Sequence, residues 1–223
     1  MTSKHKQYYF TKSLSLLLLL YAIYALGILV LKVLYPDIEL AAYEQTSLKT
    51  FIKDSPVQAF LMILILGPVL EEMLFRSLLN PSHYDLACFI AGWPVFIISP
   101  YIPEDVNVFV RIGFLVVLLA SLIYIIAQLI PPLKARHLRV CLSKYRMLLW
   151  CASSLLFGLS HITNYVSEYI FNIPLLLLIL PRIFSGFAFG YLKIKNQKLQ
   201  WPIALHAINN LIPLLVILFR TFS

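Results

Sequence analysis

Long apolar runs separated by short polar clusters dominate this chain. Seven stretches are apolar enough to be elements of their own: 14–34, 57–79, 86–102, 107–130, 147–165, 173–192 and 201–219. A helix needs ~20 apolar residues to cross the hydrocarbon core of a bilayer. The pattern therefore predicts an all-α fold, a polytopic transmembrane helical bundle of about seven spans. The third stretch is short and interrupted by Pro94. It is expected to be a broken or re-entrant helix, which a membrane tolerates only where protein buries it. No tandem repeat and no low-complexity linker divides the chain, so residues 1–223 are read as one membrane-embedded domain. The N-terminus has a basic start (Lys4, Lys6, Lys12) followed by an apolar run to Leu34. That run is too long for a signal-peptide core and no A-x-A site follows it, which predicts an uncleaved first span.

Composition sharpens this picture. Hydrophobic residues make up 61% of the chain and charged residues 13%, about half the usual soluble share of ~25%. Too little polar material is present to cover a water-soluble domain of this size. The net charge is +8, which in a soluble protein would suggest nucleic acid. Placement argues otherwise. Alternate connecting segments hold Lys4, Lys6 and Lys12, then Arg76, then Lys134, Arg136, Arg139, Lys144 and Arg146, then Lys193, Lys195 and Lys198. The opposite segments hold Lys49, Lys53 and Arg220, and most acids: Asp37, Glu39, Glu44, Asp54, Glu104, Asp105 and Glu168. Cytoplasmic loops attract the basic residues. The charge is thus a topology signal, with the N-terminus cytoplasmic and the C-terminus outside, and no nucleic-acid partner is expected. The basic loop at 134–146 can also touch anionic membrane lipid. Cys88, Cys141 and Cys151 form no CxxC pair and predict no disulfide framework.

Ionisable groups at membrane depth are costly and mark function by default. The second span reads GPVLEEMLFRSLL. Glu72 and Arg76 are four residues apart and share a helix face, so they can pair. Glu71 lies ~100° around from Glu72 and points elsewhere. This predicts a structural Glu72 and a chemical Glu71. The fifth span places His161 one turn after Phe157, and the seventh places Asn209 and Asn210 one turn after His206. Counted from the basic ends, Glu71 lies ~13 Å deep, His161 ~16 Å and His206 ~8 Å. The three can therefore share one layer. A carboxylate, two histidines and an amide in an apolar setting can activate water and hold an oxyanion. Glu71, His161 and His206 also make a plausible zinc set, although no HExxH occurs. Helix linking by these polar groups is the structural alternative. Arg182 lies ~13 Å into the sixth span, where it can pair with Glu72 or meet a substrate carboxylate. Gly186 and Gly190 form a GxxxG, expected to pack helices closely.

Taken in order, EEMLFR resembles an EExxxR signature, FGLSH an FxxxH and HAINN an HxxxN. Three such motifs on successive spans resemble the CPBP intramembrane proteases, the CAAX-protease and bacteriocin-processing family that includes the type II CAAX prenyl endopeptidases. The resemblance covers roughly 57–80 and 147–215; 86–146 adds a helical hairpin and a basic loop. It implies an endopeptidase cutting a peptide or a lipidated, CAAX-like protein tail, possessing or lacking a prenyl group, at the cytoplasmic leaflet. Glu71 would activate water with His161. His206 and Asn210 would form the oxyanion hole, and Glu72 and Arg76 would stabilise the site. The family has been described both as zinc-type metalloproteases and as glutamate-dependent proteases. The expected location is the plasma membrane of a bacterium. Eighty residues separate Arg76 from Phe157, a longer gap than the resemblance leads one to expect. Two other readings remain: a non-catalytic membrane protein with a partner-binding or immunity role, and a transporter. The second would be expected to show inverted repeats with broken helices, which the sequence lacks.

Overall fold

The computed structural model describes residues 2–38, 40–43, 45–103, 105–166 and 170–222, without the side chains of residues 41, 47 and 220–222. Glu39, Glu44, Glu104 and Glu168, and the side chain of Arg220, lie outside the described residues. All regular structure among the described residues is helical. Ten α-helices follow one another among these residues: α1 (Ser3–Leu34), α2 (Thr46–Asp54), α3 (Pro56–Leu61), α4 (Gly67–Arg76), α5 (His83–Ile98), α6 (Val108–Leu129), α7 (Pro132–Lys144), α8 (Arg146–Ser160), α9 (Ile173–Asn196) and α10 (Gln200–Phe222). A π-helical turn, Met62–Leu66, joins α3 to α4, so that Pro56–Arg76 forms one span.

Among the described residues six helices are long and apolar enough to cross a membrane. A seventh arises if α7 and α8, bent by 83°, count together as one broken span. The seven expected spans are therefore present with one qualification. The irregular member is the fifth, not the third: α5 continues through Pro94 as helix. Its position is fixed by close packing, since a Cβ on Gly92 would lie 3.1 Å from Leu74. A capping box also starts it cleanly, with Ser82 and Asp85 exchanging hydrogen bonds.

The polar contacts sort the bundle into two ends. At the lysine-rich end, Asn196 Nδ2 donates to the Lys6 carbonyl at 3.1 Å and Phe10 packs on Trp201. Lys193 is buried there and donates to Asp85 at 2.9 Å. At the opposite end, Asn172 Nδ2 donates to Tyr43 Oη at 2.7 Å and Arg111 donates to the Ser99 carbonyl at 3.1 Å. Two of the basic residues counted as loop charges are therefore internal. Lys193 belongs to a buried ion pair, and Arg76 is fully buried against Glu72.

The tightest helix contact joins α8 and α9. Added Cβ atoms on Gly186 and Gly190 would lie 3.0 Å from the Ser154 carbonyl and 2.4 Å from Trp150. On the α8 side, a Cβ on Gly158 would lie 2.2 Å from Ile183. The GxxxG is thus a packing surface, as its spacing predicts. Leu17, Phe157, Ala188, Phe189, Leu192 and Leu205 form a buried cluster beside the site, toward the lysine-rich end.

Candidate active site

Helix α4 presents its two glutamates in opposite senses. The Glu72 side chain has no exposure, as does that of Arg76, and their charged atoms lie 3.5 Å apart. Arg76 also lies over the Phe157 ring at 4.8 Å and donates to the Ser153 carbonyl at 3.3 Å, which ties α4 to α8. The Glu71 side chain is 28% exposed and opens on a cavity of about 220 Å³. Its deep oxygen, Oε2, is sealed in protein and has no hydrogen-bond partner.

Two imidazoles converge on that oxygen. His161 Nε2 lies 3.7 Å from Glu71 Oε2 and His206 Nε2 lies 3.8 Å from it. Both distances exceed hydrogen-bonding range. Both rings are oriented through their other nitrogen. His161 Nδ1 lies 2.7 Å from the Phe157 carbonyl, which can only accept, so Nδ1 carries hydrogen. His206 Nδ1 lies 3.0 Å from Glu72 Oε1. An ionised carboxylate likewise only accepts, which places hydrogen on Nδ1 again. Phe157 lies against both imidazoles, with centroids at 4.7 and 5.5 Å, and Phe189 stacks on His206 at 4.7 Å.

The amide of Asn210 completes the wall. Its Nδ2 donates to the Ile63 carbonyl in the π-helical turn at 3.0 Å. Its Oδ1 accepts from Arg182 at 3.3 Å. Arg182 therefore does not pair with Glu72, as its depth alone allowed; Arg76 and His206 already occupy that carboxylate. A π-helical turn inside a span is uncommon and often attends functional sites. Here Gly67 closes it, and a Cβ at that position would lie 2.8 Å from the Met62 carbonyl.

The sequence motifs thus bring Glu71, His161, His206 and Asn210 together, with Glu72 and Arg76 sealed behind them. Three neighbours of the site are absent from the motifs. Tyr21, on α1, donates to Asn209 Oδ1 at 2.6 Å. Its polar tip in a long apolar run was the only hint. Asn164 and Gln45 line the same cavity as Glu71, His161, Arg182 and Asn210. The donor types of Glu71, His161 and His206 suit zinc, but no three His, Cys, Asp or Glu among the described residues are arranged to hold a metal ion.

The cavity departs from expectation in its direction. From Glu71 it runs past Gly67, Met62 and Leu214 to Leu48 and Ile52 of α2. That is the end opposite the lysines. Toward the lysine-rich end, the Leu17–Phe157–Phe189–Leu205 cluster fills the space. The resemblance implies action at the cytoplasmic leaflet, where lysines are expected to gather, and this cavity opens away from the lysine-rich end. Depth counts locate a side chain along a helix but say nothing of which end is packed shut.

A family profile for type II CAAX prenyl endopeptidases, described as Rce1-like, matches residues 53–212. That range holds all three motifs and Arg182. No curated protein and no solved structure matches the chain. The match takes in the π-helical turn, the paired glutamates and both histidines in one stretch, and the chain belongs to the Rce1-like family of type II CAAX prenyl endopeptidases.

Proposed function

We propose that this membrane protease hydrolyses a peptide bond in a peptide or protein tail by glutamate-activated water, with Glu71 as the base. The observation that carries the reading is the Glu71 carboxylate, open to the cavity and flanked by two Nε2 atoms at 3.7 and 3.8 Å. Water held by Glu71 and His161 attacks the carbonyl carbon as one of its protons passes to Glu71. The charge then builds on the former carbonyl oxygen. Asn210 Nδ2 has one hydrogen on the Ile63 carbonyl and a second to offer that oxygen. His206 Nε2 offers another when the ring is an imidazolium, because its Nδ1 hydrogen is committed to Glu72. The proton on Glu71 moves to the departing nitrogen as the C–N bond breaks. The acyl product leaves with the water's second proton, which passes to the released amine, so the products are a carboxylate and an ammonium.

Glu72 and Arg76 hold the site in place without touching substrate. No step is routed through a metal. An apolar groove of about 550 Å³ between α4, α5 and α8, lined by Phe75, Leu78, Phe89, Trp93 and Leu156, supports a lipidated form of the tail. The protein is read as integral to a bacterial plasma membrane, with the lysine-rich end cytoplasmic.

The test is cleavage of a degenerate peptide library, with and without S-farnesyl cysteine, by purified protein in detergent. Glu71→Gln should lower the rate by roughly 10²–10⁴-fold, the usual worth of a positioned base. Cleavage at the native rate in that variant overturns the mechanism. Activity lost to a zinc chelator and restored by zinc would replace it with the metal reading.

A further inference from the structure

Arg182 is a charged group at the site that the three motifs leave unexplained. Its guanidinium lies part-buried within a membrane-spanning helix and lines the cavity that holds Glu71. Among the described residues no carboxylate lies within 4.0 Å of it. Of its five N–H donors, one is engaged, by Asn210 Oδ1 at 3.3 Å. Arg182 lines the cavity, and none of its nitrogens is among the buried side-chain atoms without a partner. A cation at this depth is expensive and marks function by default. A planar guanidinium with free donors fits a carboxylate with two parallel hydrogen bonds.

The cavity itself narrows the choice of ligand. At about 220 Å³ it is smaller than an ordinary ligand pocket of ~300–1,000 Å³. It accepts a short piece of extended chain and no folded segment. Glu71 lines the same space and repels a second carboxylate, so an anionic peptide end is held there only if a cation offsets that repulsion.

We infer that Arg182 is a specificity-determining residue that receives the free C-terminal carboxylate of the peptide being cut. This rests on the protease reading above and adds to it the residue that holds the end of the tail. It also gives Arg182 a second effect: by donating to Asn210 Oδ1 it turns Nδ2 toward Ile63 and the cavity.

The experiment uses the same degenerate library made twice, once as the C-terminal acid and once as the C-terminal carboxamide. The native protein should cleave the acid roughly tenfold or more faster at low concentration, the worth of a hydrogen bond to a charged group. The difference should lie in KM. Arg182→Gln retains a donor for Asn210 and removes the charge; it should bring the acid-to-amide ratio close to one. Arg182→Lys should recover part of the preference and controls for folding. Equal slowing of acid and amide through kcat in Arg182→Gln overturns the proposal and leaves Arg182 as a positioning residue for Asn210. Equal cleavage of both libraries by the native protein also overturns it. The protease reading has a separate control. Cleavage that disappears in Glu71→Gln keeps that reading even where acid and amide are cut alike, and cleavage that persists removes it.

Discussion

His206 gives its Nδ1 to Glu72 at 3.0 Å, and the same contact turns its Nε2 toward Glu71. One imidazole thus spans two neighbouring carboxylates whose roles differ. Glu72 is bound from two sides, by Arg76 and by His206, while Glu71 has no hydrogen bond on its deep oxygen. The adjacency of the two acids in sequence puts them on different faces of α4, and His206 is what connects those faces.

Glu71→Gln and Glu72→Gln should therefore separate activity from stability. Glu71→Gln removes a charge that no short contact compensates, so its thermal midpoint in detergent should stay at or above that of the native protein while cleavage falls. Glu72→Gln strands Arg76 in a fully buried setting, a kind of change that costs about 3–5 kcal/mol. Its midpoint should fall clearly. A Glu72→Gln variant as stable as the native protein would show that the buried pair does not hold α4 in place.

Asn210→Ala should lower kcat by roughly 10²–10³-fold, as loss of one oxyanion donor does elsewhere, with little change in KM. Asn210→Asp is the sharper probe. It keeps the acceptor for Arg182 but replaces the Nδ2 donor with an oxygen facing the Ile63 carbonyl. It should be at least as slow as the alanine variant. Near-native turnover in Asn210→Asp would remove the amide from the oxyanion hole.

Gly67→Ala tests the π-helical turn. A Cβ 2.8 Å from the Met62 carbonyl forces the backbone to shift, and Glu71 follows one turn later on the same helix. Activity should drop strongly, with a thermal midpoint changed by only a few degrees. By contrast, Gly158→Ala pushes into Ile183 at 2.2 Å on the α8–α9 contact and should chiefly destabilise. Unaltered cleavage in Gly67→Ala would show that the turn does not set the position of Glu71.

The bilayer, the helical class and the convergence of Glu71, His161, His206 and Asn210 were legible because each rests on a local pattern: run length, one-turn spacing and motif order. The partners of Arg182 and Tyr21 were not. Arg182 meets Asn210 across 28 residues and Tyr21 meets Asn209 across 188, and no spacing rule links positions on different helices. The continuity of α5 through Pro94 was misread for a related reason. Proline is a local breaker, whereas the packing of Gly92 on Leu74 that accompanies the intact helix is tertiary. Charge counting erred where it treated Arg76 and Lys193 as loop residues: the four-residue spacing marks the Glu72–Arg76 pair, but Lys193 meets Asp85 across 108 residues, which no spacing shows.

The proposed topology leads to the last prediction. With Arg76 and Lys193 set aside, Lys4, Lys12, Lys134, Arg136, Arg139, Lys144, Arg146, Lys195 and Lys198 remain exposed at one end. The other end has Lys32, Lys49 and Lys53 exposed, with Arg111 half-buried. The orientation proposed above, with the first end in the cytoplasm, rests on this basic excess. The cavity from Glu71 runs to α2, so its mouth should face the opposite side. Cys141, exposed on α7, reports on the lysine-rich end, and Lys53→Cys, exposed on α2, reports on the other. Cys88 and Cys151 are replaced by serine to leave single reporters. In intact cells a membrane-impermeant maleimide should label the cysteine at 53 and leave Cys141 unreacted until the membrane is opened. Labelling in the reverse order would place the cavity mouth in the cytoplasm and restore a cytoplasmic tail as the substrate.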